Sequence, residues 1–263
     1  MTLPILTARD IYRILKDSPG MVNHVPSLGV HAKRYERLVS VVASLVSEIQ
    51  ERSRPVTILD VGPWWQTELF RRLPNVHVNT MGLLEKPPLI DKPRNGELYF
   101  QQDLNRAVYE DYRADIPQHD LVIMAEVIEH LPVAPTHILR KVRKMLKPGG
   151  FLVLSTPNAV SLGKRIKMLK GQCPYTAISE DPNYPSHFRE YTLPELLKYA
   201  DLCGFSCTRS GITNDWNWRN NPSLDGKEGS VNIGRAAADR AQDILDSVSP
   251  NTWRQSILLV LTH

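Results

Sequence analysis

The stretch Val56-Thr-Ile-Leu-Asp-Val-Gly62 decides the fold class, because it is an apolar run of strand length that stops at a glycine. It shows no alternation of polar and apolar residues, as expected for a strand that is covered on both faces. Strands of this kind belong to parallel sheets with helices packed on either side. The run therefore predicts an α/β protein built around a parallel sheet.

Helices and strands alternate around this run. Apolar residues recur at helical spacing over 31–50 before it, and the elements after it follow in turn. They are a helix over 68–73, strands over 76–81, 98–101 and 121–125, a helix over 138–146, a strand over 151–155, a helix over 193–202, a strand over 205–209, a helix over 233–245 and a strand over 256–261. We expect the last two strands to pair at the sheet edge. This order predicts a Rossmann-like, doubly wound seven-stranded sheet, mostly parallel with a C-terminal antiparallel hairpin.

Composition narrows the protein class. Hydrophobic residues make up 42% of the 263 residues and charged residues 23%, which is typical of a soluble globular protein and excludes intrinsic disorder. Three cysteines are too few for a disulfide scaffold and favour a reducing, cytoplasmic location. A membrane-spanning run of about 20 apolar residues is missing, so we expect no membrane partner. The net charge of +4 is small for a dedicated DNA-binding module.

Domain organisation is predicted to be simple, because no linker interrupts the alternation. We expect a single domain over 1–263. Within it, 1–54 form an N-terminal helical cover, 55–158 a cofactor-binding core, and 159–263 the acceptor-side loops, helices and last strands. The sequence predicts no oligomeric state.

The order of four motifs resembles the class I S-adenosylmethionine-dependent methyltransferases. The motifs are Ile58-Leu-Asp-Val-Gly62, Phe100-Gln-Gln-Asp-Leu104, Glu126-Val-Ile-Glu-His-Leu131 and Leu146-Lys-Pro-Gly-Gly150. The resemblance implies S-adenosyl-L-methionine as cofactor. It places Asp60 and Gly62 under the methionine part of the cofactor, and Asp103 with the Leu104 backbone beside the adenine.

Two positions depart from the pattern of that superfamily. Its first loop usually carries three glycines, whereas here Trp64 and Gln66 replace two of them. Either the loop takes another path or cofactor binding is weakened, because a side chain fills space that glycine leaves open. The acid that usually binds the ribose is also missing from the end of the second strand. Glu85 is the nearest carboxylate and our candidate for that role.

A candidate reaction centre follows the fourth strand. Glu126, Glu129 and His130 would face the site, because ligands bind at the carboxyl ends of parallel strands. They converge on one face if a helix begins there. Two neighbouring carboxylates repel each other unless a cation joins them. The small-RNA 2′-O-methyltransferases and, in part, the ubiquinone-pathway O-methyltransferases share the Glu-x-x-Glu-His segment. That resemblance implies Glu126, Glu129, His130 and His187 as ligands of Mg²⁺ or another divalent cation.

These features together predict an S-adenosylmethionine-dependent O-methyltransferase that acts on a hydroxyl of a small-molecule or glycan-like acceptor. His130 and Glu129 are the predicted catalytic residues, with His130 as the base when no metal is bound. RNA 2′-O-methylation is an alternative, opposed by the modest charge and the lack of an RNA-binding domain. A non-catalytic binding protein that retains the fold is another, motivated by Trp64 and Gln66. The basic segment 164–170 is either a solvated helix face or a site for a phosphate or acidic substrate.

Overall fold

A seven-stranded sheet organises the chain. The computed structural model describes residues 6–16, 18, 25–50, 55–85, 93–94, 96–109, 116–180, 186–214 and 250–263. Its helices are α1 (Ala8–Lys16), α2 (Val25–Gln50), α3 (Trp65–Phe70), α4 (Pro135–Lys144), α5 (Leu162–Leu169) and α6 (Leu193–Leu202). Its strands are β1 (Val56–Val61), β2 (Val76–Gly82), β3 (Tyr99–Gln101), β4 (His119–Ala125), β5 (Leu146–Pro157), β6 (Ser206–Thr213) and β7 (Ser256–Thr262). Short 3₁₀ helices cover Leu104–Val108, Ile128–His130 and Asn251–Trp253.

The strand order confirms the predicted fold class. It runs β3-β2-β1-β4-β5-β7-β6 across the sheet. The first five strands pair in parallel, whereas β7 is antiparallel to both β5 and β6. The late strands thus form the predicted antiparallel hairpin at the edge, and the fold is Rossmann-like.

The core lies on both faces of the sheet. Alternate residues of β1 divide between two apolar clusters: Leu59 packs on the side of α4 and α6, and Ile58 on the side of α1, α2 and α3. Both side chains are fully buried. Burial on two faces explains why the strand sequences are continuous apolar runs rather than alternating ones.

The segment Lys147-Pro-Gly-Gly150 separates the helix predicted over 138–146 from the strand predicted over 151–155. In the structure it is part of the strand β5. α4 ends at Lys144, and β5 already begins at Leu146. Gly149 has φ +71°, and a Cβ on Gly150 would lie 2.9 Å from the backbone oxygen of Asp120. Gly149 is favoured by its left-handed backbone angle, whereas Gly150 is needed because the chain passes this close to β4.

Other boundaries shift by a few residues. The helix predicted over 68–73 begins earlier, at Trp65, and the strand predicted over 205–209 extends to Thr213. The helix predicted over 233–245 lies outside the described residues. Among the described residues, no helix is long and apolar enough to cross a membrane.

Candidate active site

A cavity of about 440 Å³ lies where the carboxyl ends of β1 and β4 meet. The strand order reverses between these two strands, so a crevice opens there. Its volume falls in the range of about 300–1,000 Å³ that is typical of small-molecule sites. The lining comes from α2, the loop after β1 and the segment after β4: Arg34, Tyr35, Gly62, Pro63, Trp64, Gln66, Ala125, Glu126, Val127, His130 and Leu131.

Asp60 lies at the floor of this site and is fully buried. Its carboxylate accepts hydrogen bonds from Thr67 Oγ1 at 2.6 Å and from Gln66 Nε2 at 3.4 Å. Burial raises the pKa of Asp60 to about 7, although both hydrogen bonds act in the opposite direction. Gln66 therefore replaces a glycine of the usual loop with a side chain that points down to the acid.

Gly62 makes the sharp turn out of β1. Its φ is +67°, and a Cβ at this position would lie 2.6 Å from Val127 Cγ2. Glycine is required on both counts, because the backbone angle is left-handed and the loop after β4 approaches closely. The predicted role of Gly62 in shaping the cofactor loop stays a prediction.

The two tryptophans of this loop have different surroundings. Trp65 is buried and meets the ring of Tyr35 edge-on, with 6.2 Å between the ring centroids. Trp64 stacks on Trp65 and lines the cavity while remaining 36% exposed. The loop thus takes a packed path, in which one tryptophan fills the core beneath α2 and the other forms a wall of the cavity.

Glu126 points toward α2. It adopts φ +58°, a left-handed conformation that is uncommon for a residue with a side chain. Its carboxylate pairs with Arg34 Nη1 at 2.9 Å and accepts a hydrogen bond from Ser155 Oγ at 3.0 Å. The segment forms only the short 3₁₀ helix Ile128–His130, so the expected single helix face of Glu126, Glu129 and His130 does not form.

Glu129 is fully buried, and its two carboxyl oxygens are in different situations. Oε2 accepts a hydrogen bond from Thr156 Oγ1 at 2.9 Å, whereas Oε1 has no hydrogen-bond partner among the described residues. Burial, together with the charge of Glu126, raises the pKa of Glu129 well above its ordinary value. A buried oxygen of this kind is costly unless a proton, a cation or a ligand group meets it.

His187 is held beside this carboxyl group. Its Nδ1 lies 2.9 Å from Glu190 Oε1, and its ring meets that of His130 edge-on at a centroid distance of 4.8 Å. Lys164 pairs with the other oxygen of Glu190. Burial lowers the pKa of His187 to about 4, with the positive charges of His130 and Lys164 acting in the same direction. The imidazole is therefore neutral at neutral pH, with Nε2 left for another contact.

Three of the four predicted metal ligands come together. One donor atom each of Glu129, His130 and His187 lies within 4.8 Å of the others. These donors suit a divalent cation, because Glu129 has an unpartnered oxygen and Glu190 orients His187 as second-sphere carboxylates commonly do. Glu126 does not join this group and is paired with Arg34, so its part in a metal site stays a prediction.

The predicted adenine and ribose residues lie around the ends of β2 and β3. Asp103 accepts a hydrogen bond from the backbone N–H of Asn105 at 2.9 Å and so caps a 3₁₀ helix that begins at the buried Leu104. The side-chain oxygens of Gln102 and Asn105 are buried without hydrogen-bond partners among the described residues, which suits a ligand that donates hydrogen bonds. Glu85 is exposed on the bend after β2 and does not line the cavity.

Sequence reasoning missed several groups that complete the site. Gln66 and Thr67 donate hydrogen bonds to Asp60, and Thr156 donates one to Glu129. Lys164 forms an ion pair with Glu190. Ser155 and Thr156 carried a usable signal, since two hydroxyl residues end an otherwise apolar strand. The carboxylate of Glu190 carried none.

Comparisons with known proteins identify the family and the fold. A family described as a methyltransferase domain matches residues 31–209. No curated protein matches the chain in sequence. A solved S-adenosylmethionine-dependent methyltransferase from Archaeoglobus fulgidus superposes with a TM-score of 0.50 and 15% identity, covering 84% of this chain and 94% of that chain. The [4+2]-cyclase SpnF superposes with a TM-score of 0.53 and 14% identity, covering 88% and 80%. At these identities the solved structures show the fold alone.

Proposed function

The chain belongs to the methyltransferase-domain family and is an S-adenosylmethionine-dependent methyltransferase; on this premise we propose that it methylates a hydroxyl group of a small-molecule or glycan-like acceptor. The observation that carries the proposal is the group formed by the buried Glu129 and the half-buried His130 and His187 at the carboxyl end of β4. A neutral hydroxyl must lose its proton when it is methylated, and this group offers basic atoms next to a ligand-sized cavity.

When bound, S-adenosylmethionine supplies an electrophilic methyl group on a positively charged sulfur. The chain's part is to hold the two reactants in line and to exclude water, which accounts for much of the acceleration in such displacements. Arg34 and Tyr35 cover the cavity from α2, and Trp64 forms the opposite wall. Hydrogen bonds from Gln66 and Thr67 to Asp60 keep the loop after β1 in its turned path.

His130 is the proposed base for the acceptor hydroxyl. It lines the cavity, and its ring is half-buried against the ring of His187. A neutral His187 adds no second positive charge when His130 takes the proton. Glu129 belongs to the same group, in which one donor atom of each residue lies within 4.8 Å of the others.

A divalent cation fits the same group. Glu129, His130 and His187 would hold it, and it would lower the pKa of the acceptor hydroxyl and orient that group. Burial raises the pKa of Glu129 and so favours its protonated form when no cation is bound, whereas a bound cation would favour the ionised form.

The experiment is a transfer assay with S-adenosylmethionine that carries a labelled methyl group. Matched acceptors share one carbon skeleton and present a hydroxyl, an amine or a thiol; phenols and simple saccharides serve as skeletons. We expect label in the hydroxyl compounds alone, and its loss in His130→Asn. Transfer to the amine or thiol series alone would overturn the proposal. Transfer to an oligoribonucleotide alone would replace the proposed acceptor class with RNA.

A further inference from the structure

A second cavity, of about 740 Å³, lies along the outer side of α4 and shares no lining residue with the active-site cavity. Ile138, Leu139 and Val142 of this helix are buried against the sheet. The opposite side chains of the helix therefore face outward, and they form one wall of the second cavity. The other wall is the turn that ends the 3₁₀ helix after β3, including Val108 and Tyr109.

The lining of this cavity is strongly basic. Arg140, Lys141, Arg143 and Lys144 come from consecutive turns of α4, and His137 extends the same side of the helix. No Asp or Glu side chain occurs among the described residues that line the cavity, and His263, which follows β7, completes the lining. Four cations around one concave surface repel each other, and an anion placed between them removes that repulsion.

The residue types of the lining suit phosphate. Guanidinium groups bind phosphate oxygens through paired N–H donors, and lysine adds a mobile point charge. Arg140, Arg143 and Lys144 are exposed to solvent and so are accessible to a ligand. Several positive side chains are best neutralised by a ligand with several negative charges, such as one with more than one phosphoryl group.

Tyr109 adds an apolar, aromatic surface beside these charges. Its side chain is 59% exposed, and the neighbouring Val108 is 39% exposed. An exposed aromatic ring next to bound phosphate provides a face on which a planar group can stack. The cavity volume lies within the range that holds a nucleotide-sized ligand.

We propose that the α4 cavity binds a small organic polyphosphate, of the nucleoside polyphosphate class, through Arg140, Arg143 and Lys144, with its planar group against Tyr109. This site is separate from the reaction centre and does not rest on the proposed acceptor. Failure of methyl transfer leaves it untouched, and failure of polyphosphate binding leaves the methyltransferase assignment untouched.

Calorimetry on the full chain at low ionic strength tests the proposal, with metal-free ATP, pyrophosphate and adenosine as probes. S-adenosylhomocysteine is present in one series so that the active-site cavity is filled. We expect ATP and pyrophosphate to bind in both series. The double variant Arg140→Glu with Lys144→Glu should weaken both by at least about 10-fold. Tyr109→Ala should weaken ATP and leave pyrophosphate unchanged.

The matched control is Arg13→Glu with Lys16→Glu, which reverses two exposed charges on α1. We expect it to bind ATP like the wild type, and both double variants to unfold at the wild-type urea concentration because their side chains are exposed. Equal weakening in the two double variants would overturn the proposal, since binding would then follow net charge alone. Absence of wild-type binding would also overturn it, as would displacement of ATP by S-adenosylhomocysteine. An oligoribonucleotide that binds through Arg140 while ATP does not would replace the small ligand with RNA.

Discussion

The two ends of the central strands carry buried carboxylates in opposite situations. At the amino end, Asp120 Oδ2 accepts hydrogen bonds from the Thr57 backbone N–H, from Thr57 Oγ1 and from Lys147 Nζ, at 2.8–3.0 Å. At the carboxyl end, Glu129 has one oxygen without a partner among the described residues. A buried carboxylate that accepts several hydrogen bonds stabilises the fold. A buried carboxyl oxygen without a hydrogen bond is costly, and a proton, a cation or a ligand can remove that cost. We therefore infer that Asp120 stabilises the fold and that Glu129 belongs to the reaction centre.

The largest effect is expected on methyl transfer, measured with the hydroxyl acceptor that the labelled assay identifies. His130→Ala should lower kcat/KM by at least about 100-fold, because a positioned base contributes a factor of about 10²–10⁴. Asp120→Asn should leave kcat/KM within a factor of about 2 in the folded protein. If Asp120→Asn lowered kcat/KM as much as His130→Ala does, a purely structural role for Asp120 would be contradicted.

The next effect concerns divalent cation binding, followed by electron paramagnetic resonance of Mn²⁺. Glu129→Gln and His187→Ala should each weaken Mn²⁺ binding by at least about 10-fold, and Glu190→Gln by about 10–100-fold through the lost orientation of His187. Asp120→Asn is the control and should bind Mn²⁺ like the wild type. Equal Mn²⁺ affinity in all four variants and the wild type would show that this group does not bind the cation.

Stability should show the reverse order of sensitivity. Asp120→Asn should lower the free energy of unfolding by about 2 kcal/mol, because three hydrogen-bond donors lose a charged acceptor. Glu129→Gln should leave it unchanged or raise it, since it removes a buried acid whose charged form Glu126 opposes. Urea unfolding curves compare the two directly. A Glu129→Gln variant less stable than Asp120→Asn would contradict the assignment.

The smallest effect, counted per pH unit, is a pH dependence of stability that Asp60 adds at the carboxyl end. The folded-state pKa of about 7 lies above the unfolded value of 3.8, so the folded protein holds a proton that the unfolded chain releases. The unfolding free energy of the wild type should therefore fall as pH rises from about 4 to about 7, by at most about 1.4 kcal/mol per pH unit relative to Asp60→Asn. Parallel curves for the two proteins would show that Asp60 is ionised throughout.

The fold could be predicted because its strands are buried on both faces. β1, β4, β5 and β7 are continuous apolar runs, and their order indicates a doubly wound sheet. The Lys147-Pro-Gly-Gly150 segment could not be placed in the same way. Gly150 serves a close approach to β4 that is set by tertiary contact rather than by local turn preference.

The site was predictable as far as strand ends determine it. Glu129, His130 and His187 come together as the motif order suggested. The pairs of Arg34 with Glu126 and of Lys164 with Glu190 were not predictable. Each pair joins residues on separate elements. The sequence alone does not tell which of the chain's many acidic residues pairs with a given lysine or arginine.

Calorimetric titration of S-adenosylhomocysteine into the wild-type protein tests the central claim most directly, because it needs neither the acceptor nor the metal. We predict one binding site with a micromolar dissociation constant, retained in Asp120→Asn and weakened in Gly62→Ala, where the new Cβ meets Val127 and the backbone angle is strained. Absence of binding heat with millimolar ligand would contradict the assignment of chemistry to the carboxyl end of the sheet.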